Sequence, residues 1–172
     1  VAAAAVTFHY FADVCIEALG EVKASPYPDV FDFTVREPLG VVGAIIPWNF
    51  PFLTAARKIA SALAAGNTMV IKPSMWAPLS TLMFGALFSE AGVPAGVLNI
   101  VTASGPATGK AFTESPIISD ITFTGSTEIG QSLYGACTPG LKGCTLELGG
   151  KSPAVVLADC DMDETVAGTL FG

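Results

Sequence analysis

Charged residues are scarce in this chain of 172 residues, where they make up 13% of the total against 51% hydrophobic residues. The eight Lys and Arg residues are scattered, and the net charge is −7. Because nucleic-acid binding requires clustered basic side chains against phosphates, this composition excludes a nucleic-acid partner. The mean hydropathy of +0.59 is high for an isolated soluble domain. We therefore expect the chain to be an internal fragment of a larger protein.

Long hydrophobic runs and metal-ligand sets are also missing. The longest nearly apolar stretch, residues 39–53, is shorter than the ~18 residues of a membrane span and is interrupted by prolines and an Asn. One His and four cysteines without C-x-x-C spacing exclude a zinc site. The start of the chain has no secretory signal pattern. We expect no membrane partner, no metal, reduced thiols and a cytoplasmic protein, although a targeting segment could precede Val1.

Apolar periodicity and Gly or Pro breakers divide the chain into alternating strands and helices. They predict a mostly parallel, Rossmann-like doubly wound α/β sheet over residues 36–172, preceded over residues 1–35 by a helix and part of a β arm. The predicted helices cover residues 2–19, 51–65, 79–87 and 107–113, with further helices beginning at Ser126 and after Asp161. The predicted strands cover residues 30–35, 41–46, 68–71, 97–101, 121–123 and 145–148, and 155–157 is a further short apolar run.

The usual G-x-G-x-x-G dinucleotide fingerprint is absent. A different phosphate site is suggested by residues 125–132, where Gly125 ends a strand and Ser126 can cap a helix whose free N–H groups face an anion. A simply capped helix explains the same pattern. The glycine spacing also resembles a Walker A frame, but Gln131 replaces the essential Lys and Glu128 would repel phosphates. A P-loop NTPase is thus a second, flawed interpretation.

Three polar residues occupy positions where chemistry is a better explanation than packing. Lys72 ends a buried strand, which puts an ammonium at the edge of the sheet where ligands of open α/β folds bind. Asn49, between two aromatic residues and two prolines, offers an amide to a developing oxyanion. Glu147 can act as a general base next to a Gly-Gly turn. A solvated Lys, a turn Asn and an exposed strand carboxylate are the structural alternatives.

Together these segments resemble the aldehyde dehydrogenase superfamily, and the resemblance covers essentially the whole chain. The motifs that carry it, in order, are P-W-N-F-P at 47–51, I-K-P-S at 71–74, F-T-G-S-T-E-I-G at 123–130 and L-E-L-G-G-K-S-P at 146–153. The resemblance implies NAD(P)-dependent oxidation of an aldehyde to a carboxylic acid through a cysteine thiohemiacetal and thioester. Asn49 would stabilise the oxyanion, and Glu147 would activate the hydrolytic water. The presence of Glu147 indicates an aldehyde dehydrogenase of the hydrolytic rather than the acylating type.

The resemblance also implies which residues line the NAD or NADP site. These are Ile46, Pro47, Trp48, Lys72, Ser74, Met75, Gly105, Gly109, Gly125, Ser126, Ile129, Leu148 and Gly149. Met75 departs from the family pattern, in which a Glu often accepts hydrogen bonds from the adenosine ribose. Because Met does not repel a 2′-phosphate, we expect NADP to be tolerated.

A second departure is the nucleophilic cysteine, which none of the four cysteines matches in context. We expect the family's nucleophile to lie beyond Gly172, and the 172-residue chain by itself to be inactive. A non-catalytic nucleotide-binding remnant is the alternative from another functional class. The low charge fraction indicates a homo-oligomer in the full-length protein. The identity of the aldehyde does not follow from these residues.

Overall fold

The computed structural model describes residues 1–17 and 19–171, and it is a mixed α/β fold. The helices are α1 (Ala2–Val14), α2 (Pro51–Ala64), α3 (Leu79–Glu90), α4 (Gly105–Glu114), α5 (Thr127–Cys137) and α6 (Met162–Phe171). The strands are β1 (Val22–Lys23), β2 (Asp32–Phe33), β3 (Val41–Ile45), β4 (Thr68–Lys72), β5 (Leu98–Ile100), β6 (Ile118–Gly125) and β7 (Gly143–Leu148). Within the described residues, no helix is long and apolar enough to cross a membrane.

Five strands form one parallel sheet in the order β5-β4-β3-β6-β7. Counted from β3, this is the 3-2-1-4-5 order of dinucleotide-binding folds. The chain runs outward from β3 through β4 to β5, and then returns to the other side of β3 as β6. The sheet therefore has a topological switch point between β3 and β6, where a crevice opens beyond the carboxyl ends of the strands.

Helices cover both faces of this sheet, as the sequence predicted. One core cluster joins Val42, Ala44 and Ile71 of the sheet to α1, α2 and α3, where the rings of Phe52 and Phe84 stack at 4.5 Å. The other cluster joins Ile45 and Ile121 to α4 and α5. Alternate residues of β3 serve the two faces, which is why this strand has a continuous apolar run rather than an alternating pattern.

Close packing explains one glycine of the central strand. A Cβ at Gly43 would lie 2.6 Å from the Phe112 ring of α4, nearer than any real side chain approaches. Gly66 has a different role, because its φ of +78° ends α2 in a left-handed turn that leads into β4. Gly43 thus allows α4 to pack closely on β3, and Gly66 allows a short turn from α2 into β4.

The predictions were less accurate outside the central sheet. α1 ends at Val14 and continues as a 3-10 turn over Cys15–Glu17. The predicted helix extended to residue 19, and residue 18 within it lies outside the described residues. Ile16 and Leu19, two apolar residues near the end of the predicted helix, are exposed. The strand predicted over 30–35 is only two residues long and pairs with β1. Residues 155–157 form no strand, because all three are exposed and without a described partner strand.

Candidate active site

The switch point holds a cleft of about 620 Å³ at the carboxyl edge of β3 and β6. All the predicted site residues except Met75 and Gly109 line it: Ile46, Pro47, Trp48, Asn49, Lys72, Ser74, Gly105, Gly125, Ser126, Ile129, Glu147, Leu148 and Gly149. They come from five different segments that are far apart in the sequence. The fold thus gathers residues selected by motif into one concave surface.

Asn49 lies in the short connection from β3 to α2, between Trp48 and Phe50. Both aromatic side chains are largely exposed, at 64% and 59%, and Asn49 itself is exposed. Pro51 begins α2 immediately afterwards with its fixed φ, so the connection has little freedom. The segment therefore presents an amide group at the cleft instead of contributing to the core.

Lys72 is the last residue of β4 and is 5% exposed. Its carbonyl accepts a hydrogen bond of 3.1 Å from the N–H of Ile46, which joins the ends of β4 and β3. Desolvation by burial lowers the pKa of the Lys72 ammonium below its ordinary value. A partly desolvated cation at the cleft is suited to hydroxyl or phosphate oxygens of a ligand.

The N-terminus of α5 forms the opposite wall. Ser126 caps this helix by accepting a 3.4 Å hydrogen bond from the N–H of Ile129. A Cβ at Gly125 would lie 2.5 Å from the Phe123 ring, so packing already requires glycine at this position. Gly130 lies within the helix and packs against Leu148. Since residues 127–132 are helical rather than a loop, the Walker A interpretation is wrong.

A second cavity of about 550 Å³ continues from the first between α4 and α5. The two share Ile45, Gly105, Phe123 and Ile129, and Gly109 lines only the second. A Cβ at Gly105 would meet no protein atom within 4 Å, so the glycine leaves open space where α4 begins. Together the two cavities extend from the cleft to the space between α4 and α5, which suits an elongated ligand.

Glu147 lies on β7, where it pairs in register with Thr124 of β6. Its neighbours Leu146 and Leu148 pack towards α5, through the second core cluster and through Gly130. Successive residues of a strand alternate between faces, so the carboxylate lies on the side of α2. Glu147 is exposed and lines the cleft together with Asn49.

Lys58 of α2 was missed by the sequence analysis. Its side chain is 9% exposed, and its Nζ donates a 2.6 Å hydrogen bond to Thr122 Oγ1 of β6. Burial lowers the pKa of Lys58 to about 8, against smaller opposing effects of the Glu147 and Asp120 carboxylates. The sequence does indicate that Lys58 is buried, because this residue is spaced three and four residues from the apolar Ala55 and Ala62 on the buried face of the same helix.

No cysteine contributes to either cavity in the part of the chain that the structure describes. Cys15 is exposed in the turn after α1, and Cys160 precedes α6. Cys137 and Cys144 lie at the end of α5 and the beginning of β7, among the second core cluster. Met75 lies beside the cleft after Ser74, and it is 65% exposed.

The comparisons with known proteins agree with this geometry. The model of the aldehyde dehydrogenase family matches residues 1–172. Phenylacetaldehyde dehydrogenase of Pseudomonas fluorescens is 54% identical over 135 residues, which are 78% of this chain and 27% of that protein. An aldehyde dehydrogenase of Bacillus cereus, solved as an NAD+ complex, superposes with a TM-score of 0.91 at 41% identity, covering 97% of this chain and 34% of that one.

An E. coli structure described as an NADP dependent enzyme superposes with a TM-score of 0.93 at 42% identity, over 97% of this chain and 35% of that one. The chain thus spans about a third or less of the length of the relatives it matches.

Proposed function

The chain belongs to the aldehyde dehydrogenase family, and we propose that it forms the nucleotide-binding part of an enzyme oxidising an aldehyde to a carboxylic acid. The observation that carries the proposal is the meeting of Asn49 and Glu147 in one cleft with Lys72 and the capped N-terminus of α5. An amide donor, a carboxylate, a cation and a helix N-terminus are the groups that this chemistry requires.

The cavity fits NAD or NADP, which are the cofactors we propose. The N–H groups at the start of α5 favour a pyrophosphate, and the Glu128 carboxylate in the first turn of this helix does not line the cleft. Lys72 and Ser74 are available to ribose hydroxyls. The space between α4 and α5, which Gly105, Gly109 and Ile129 line, accepts an adenine ring. The cofactor's pyridinium ring supplies the hydride acceptor when it is bound.

Asn49 and Glu147 carry the proposed chemistry of this part of the enzyme. The Asn49 amide donates a hydrogen bond to the oxygen that becomes negative when the aldehyde carbonyl is attacked, and such a donor contributes about 3–4 kcal/mol to the transition state. Glu147 accepts a proton from the water that hydrolyses the thioester. The carboxylate is solvent-accessible at the cleft, so it can exchange that proton with bulk water. Trp48 and Leu148 line the same cleft.

The attacking thiolate belongs to a part of the enzyme outside this chain. Cys15, Cys137, Cys144 and Cys160 all lie away from the cleft. Relatives about three times as long supply the remaining polypeptide in which such a cysteine can lie. The alternative of a non-catalytic nucleotide-binding remnant is disfavoured, because Asn49 and Glu147 are exposed and contribute nothing to the core.

We propose that the enzyme accepts both NAD and NADP. Met75 follows Ser74 at the mouth of the cleft, where it cannot accept hydrogen bonds from ribose hydroxyls and does not repel a 2′-phosphate. Lys72 brings a positive charge close to the same place. Relatives of both cofactor types resemble this chain to a similar degree.

The remaining proposals concern the whole enzyme. We propose a homo-oligomeric protein of the cytoplasm, with no nucleic-acid or membrane partner. Its division into an N-terminal helix with a partial β arm over residues 1–35 and the nucleotide-binding unit over 36–172 belongs to the same proposal. The exposed apolar side chains of the β1–β2 segment, including Phe31 and Phe33, support an interface there.

The full-length enzyme with Glu147→Gln tests this function. We expect steady-state aldehyde oxidation to fall by a factor of about 10²–10⁴, as for removal of a general base. The first turnover of NADH formation should persist as a burst, because acyl-enzyme formation precedes hydrolysis. Glu90→Gln, at the exposed end of α3, is the matched control and should leave the rate unchanged.

Two results would contradict the proposal. Unchanged steady-state oxidation by Glu147→Gln would remove Glu147 from the mechanism. Nucleotide binding without oxidation of any aldehyde by the wild-type full-length protein would favour the non-catalytic alternative.

A further inference from the structure

Two charged residues of α4 line the cavity between α4 and α5, and the proposed chemistry uses neither of them. Lys110 and Glu114 are one helical turn apart, and Lys110 Nζ lies 3.9 Å from Glu114 Oε1. Their side chains are 74% and 65% exposed, so solvent competes with this contact and the ion pair is weak. Lys110 can therefore exchange Glu114 for another anion at little cost.

Lys110 lies close to the place where the two cavities meet. The α4 residues that line the second cavity form one stripe along the helix: Gly105, Pro106, Gly109, Lys110, Thr113 and Glu114. Gly105 also lines the first cavity, together with Lys72. At the α-helical rise, Gly105 and Lys110 are about 7.5 Å apart along the axis, and helical side chains lean towards the N-terminus. The Lys110 side chain is thus directed towards the junction of the two cavities.

The other polar side chains around this cavity do not offer a cation. The Thr113 hydroxyl donates a 3.0 Å hydrogen bond to the carbonyl of Gly109 in its own helix. Across the cavity, Ser132 and Ala136 of α5 are uncharged. Among the residues that line this cavity, Lys110 therefore supplies the positive charge and Glu114 the negative charge.

We propose that Lys110 binds the 2′-phosphate of NADP and that Glu114 competes for the same ammonium. This inference rests on the proposed binding of the nucleotide, with its adenine ring between α4 and α5. The adenosine ribose is joined to that ring, so it then lies at the junction of the cavities, between Lys72 and Lys110.

The charges of the two cofactors differ at this place. A phosphate monoester carries a charge of about −1.5 to −2 at pH 7, so it attracts Lys110 more strongly than one carboxylate does. NAD has only a hydroxyl there and gains little from leaving Lys110 unpaired with Glu114. Lys110 therefore favours NADP, whereas Glu114 disfavours it by holding the ammonium and by repelling the phosphate.

Titration calorimetry of the full-length protein tests the proposal without any turnover. The ligands are NAD, NADP, adenosine 5′-monophosphate and adenosine 2′,5′-bisphosphate. Lys110→Met should weaken the two 2′-phosphorylated ligands about five- to tenfold and change the other two less than about twofold. Glu114→Gln should strengthen the 2′-phosphorylated ligands about two- to fivefold. The effect of Lys110→Met should shrink at high salt, which screens exposed charges.

Lys23→Met is the matched control, because Lys23 is an exposed lysine that pairs with Glu21 and lines neither cavity. It should leave all four affinities unchanged. Equal weakening of NAD and NADP by Lys110→Met, or no change in either, would overturn the binding of the 2′-phosphate by Lys110. Unchanged NADP affinity in Glu114→Gln would overturn the competition by Glu114. If the wild type binds neither NAD nor adenosine 5′-monophosphate, the proposed function itself is wrong, and this inference is wrong with it.

Discussion

Lys58 shows how one buried charge connects the core to the site. Its ammonium contacts Thr122 of the central sheet and interacts with the Glu147 carboxylate, although it lies on a helix whose buried face is otherwise mostly alanine. Burying a charged group costs free energy unless hydrogen bonds and counter-charges offset it. Here one hydroxyl and two carboxylates provide that compensation only in part, since the pKa remains lowered to about 8.

This lowered pKa makes stability depend on pH. Between pH 8 and 10.5 the unfolded chain keeps the Lys58 proton and the folded chain loses it, so the free energy of unfolding rises with pH. We expect a gain of about 1 kcal/mol between pH 7 and 9. Urea unfolding of the wild type and of Lys58→Met should show this rise only in the wild type, and Lys151→Met is the exposed control.

The upper limit of that pH range is set by Cys144. Above the ordinary thiol pKa of 9.0 the unfolded chain loses this proton, while the folded chain holds it until about pH 12. The Cys144 contribution to the free energy of unfolding therefore falls with pH, and it offsets the rise from Lys58 up to pH 10.5. If the free energy of unfolding rises with pH as steeply in Lys58→Met as in the wild type below pH 9, the assignment of that rise to Lys58 is wrong.

Met75 determines the expected cofactor choice. The wild type should bind NAD and NADP with affinities that differ by less than about a hundredfold, roughly 2.7 kcal/mol. Met75→Glu introduces a carboxylate beside the proposed ribose site, so it should weaken NADP at least tenfold relative to NAD by like-charge repulsion. Quenching of Trp48 fluorescence at the cleft measures both affinities. Met75→Gln keeps the size of the side chain without its charge and should leave NADP binding strong.

Residues with a local motif were identified from sequence, whereas residues that act through tertiary neighbours were not. Asn49 and Glu147 are out of place in an apolar context, which is visible in the chain itself. Lys58 lies next to Arg57 and looks like part of a solvated helix face, although only Arg57 is exposed. The packing of Cys144 against the core cluster that contains Cys137 depends on the path of a loop that no spacing rule predicts.

At the scale of elements, α4 depends on a lysine from a distant part of the chain. Lys142 Nζ donates hydrogen bonds of 2.5 Å to the carbonyl of Phe112 and 2.7 Å to that of Ser115, at the C-terminus of this helix. The charge also interacts favourably with the helix dipole. The lysine thus connects the loop before β7 to the end of α4.

Removing this charge should destabilise the fold. We expect Lys142→Met to lower the free energy of unfolding by about 1–2 kcal/mol, the usual contribution of charged hydrogen bonds on a partly buried group. The midpoint of urea unfolding measures it against Lys151→Met, which lacks such contacts. A change within experimental error in both variants would show that solvent replaces the two hydrogen bonds at no cost.

The elements of the sheet were predictable because their signals are strong and redundant. β3 and β4 are short, mostly apolar runs, and Gly66 and Gly92 end two of the helices with positive φ. The segments that were predicted wrongly have no buried face to fix them. Residues 155–157 are apolar but exposed, and the β1–β2 pair is exposed along its whole length. Apolar composition alone does not form a strand where no partner covers it.

At the scale of the molecule, the amount of exposed surface is unusual. A compact protein of 17.6 kDa exposes about 7,900 Å², whereas this chain exposes 11645 Å². Part of the excess is apolar, for example Trp76 at 89% and Leu141 at 93%. We therefore infer that part of this apolar surface faces other protein.

The 172-residue chain expressed by itself should therefore bind a hydrophobic dye such as ANS strongly and associate in size-exclusion chromatography. It should not oxidise aldehydes, because no thiol lines its cleft in the described part of the chain. The full-length protein is the control and should bind little dye. Measurable NADH formation by the isolated chain would refute the assignment of the nucleophile to another part of the protein.

The strand order also has a consequence for how the protein is made. β3 pairs with β6 in parallel, with Val42 opposite Asp120, so the two walls of the cleft are separated by the synthesis of β4, β5 and three helices. At translation rates of about 5–20 residues per second, β3 waits roughly 4–16 s for this neighbour. During that interval one edge of an apolar strand is open to other nascent chains. Formation of the nucleotide cleft is thus a late, non-local event of folding, and its yield depends on protection of β3 at the ribosome.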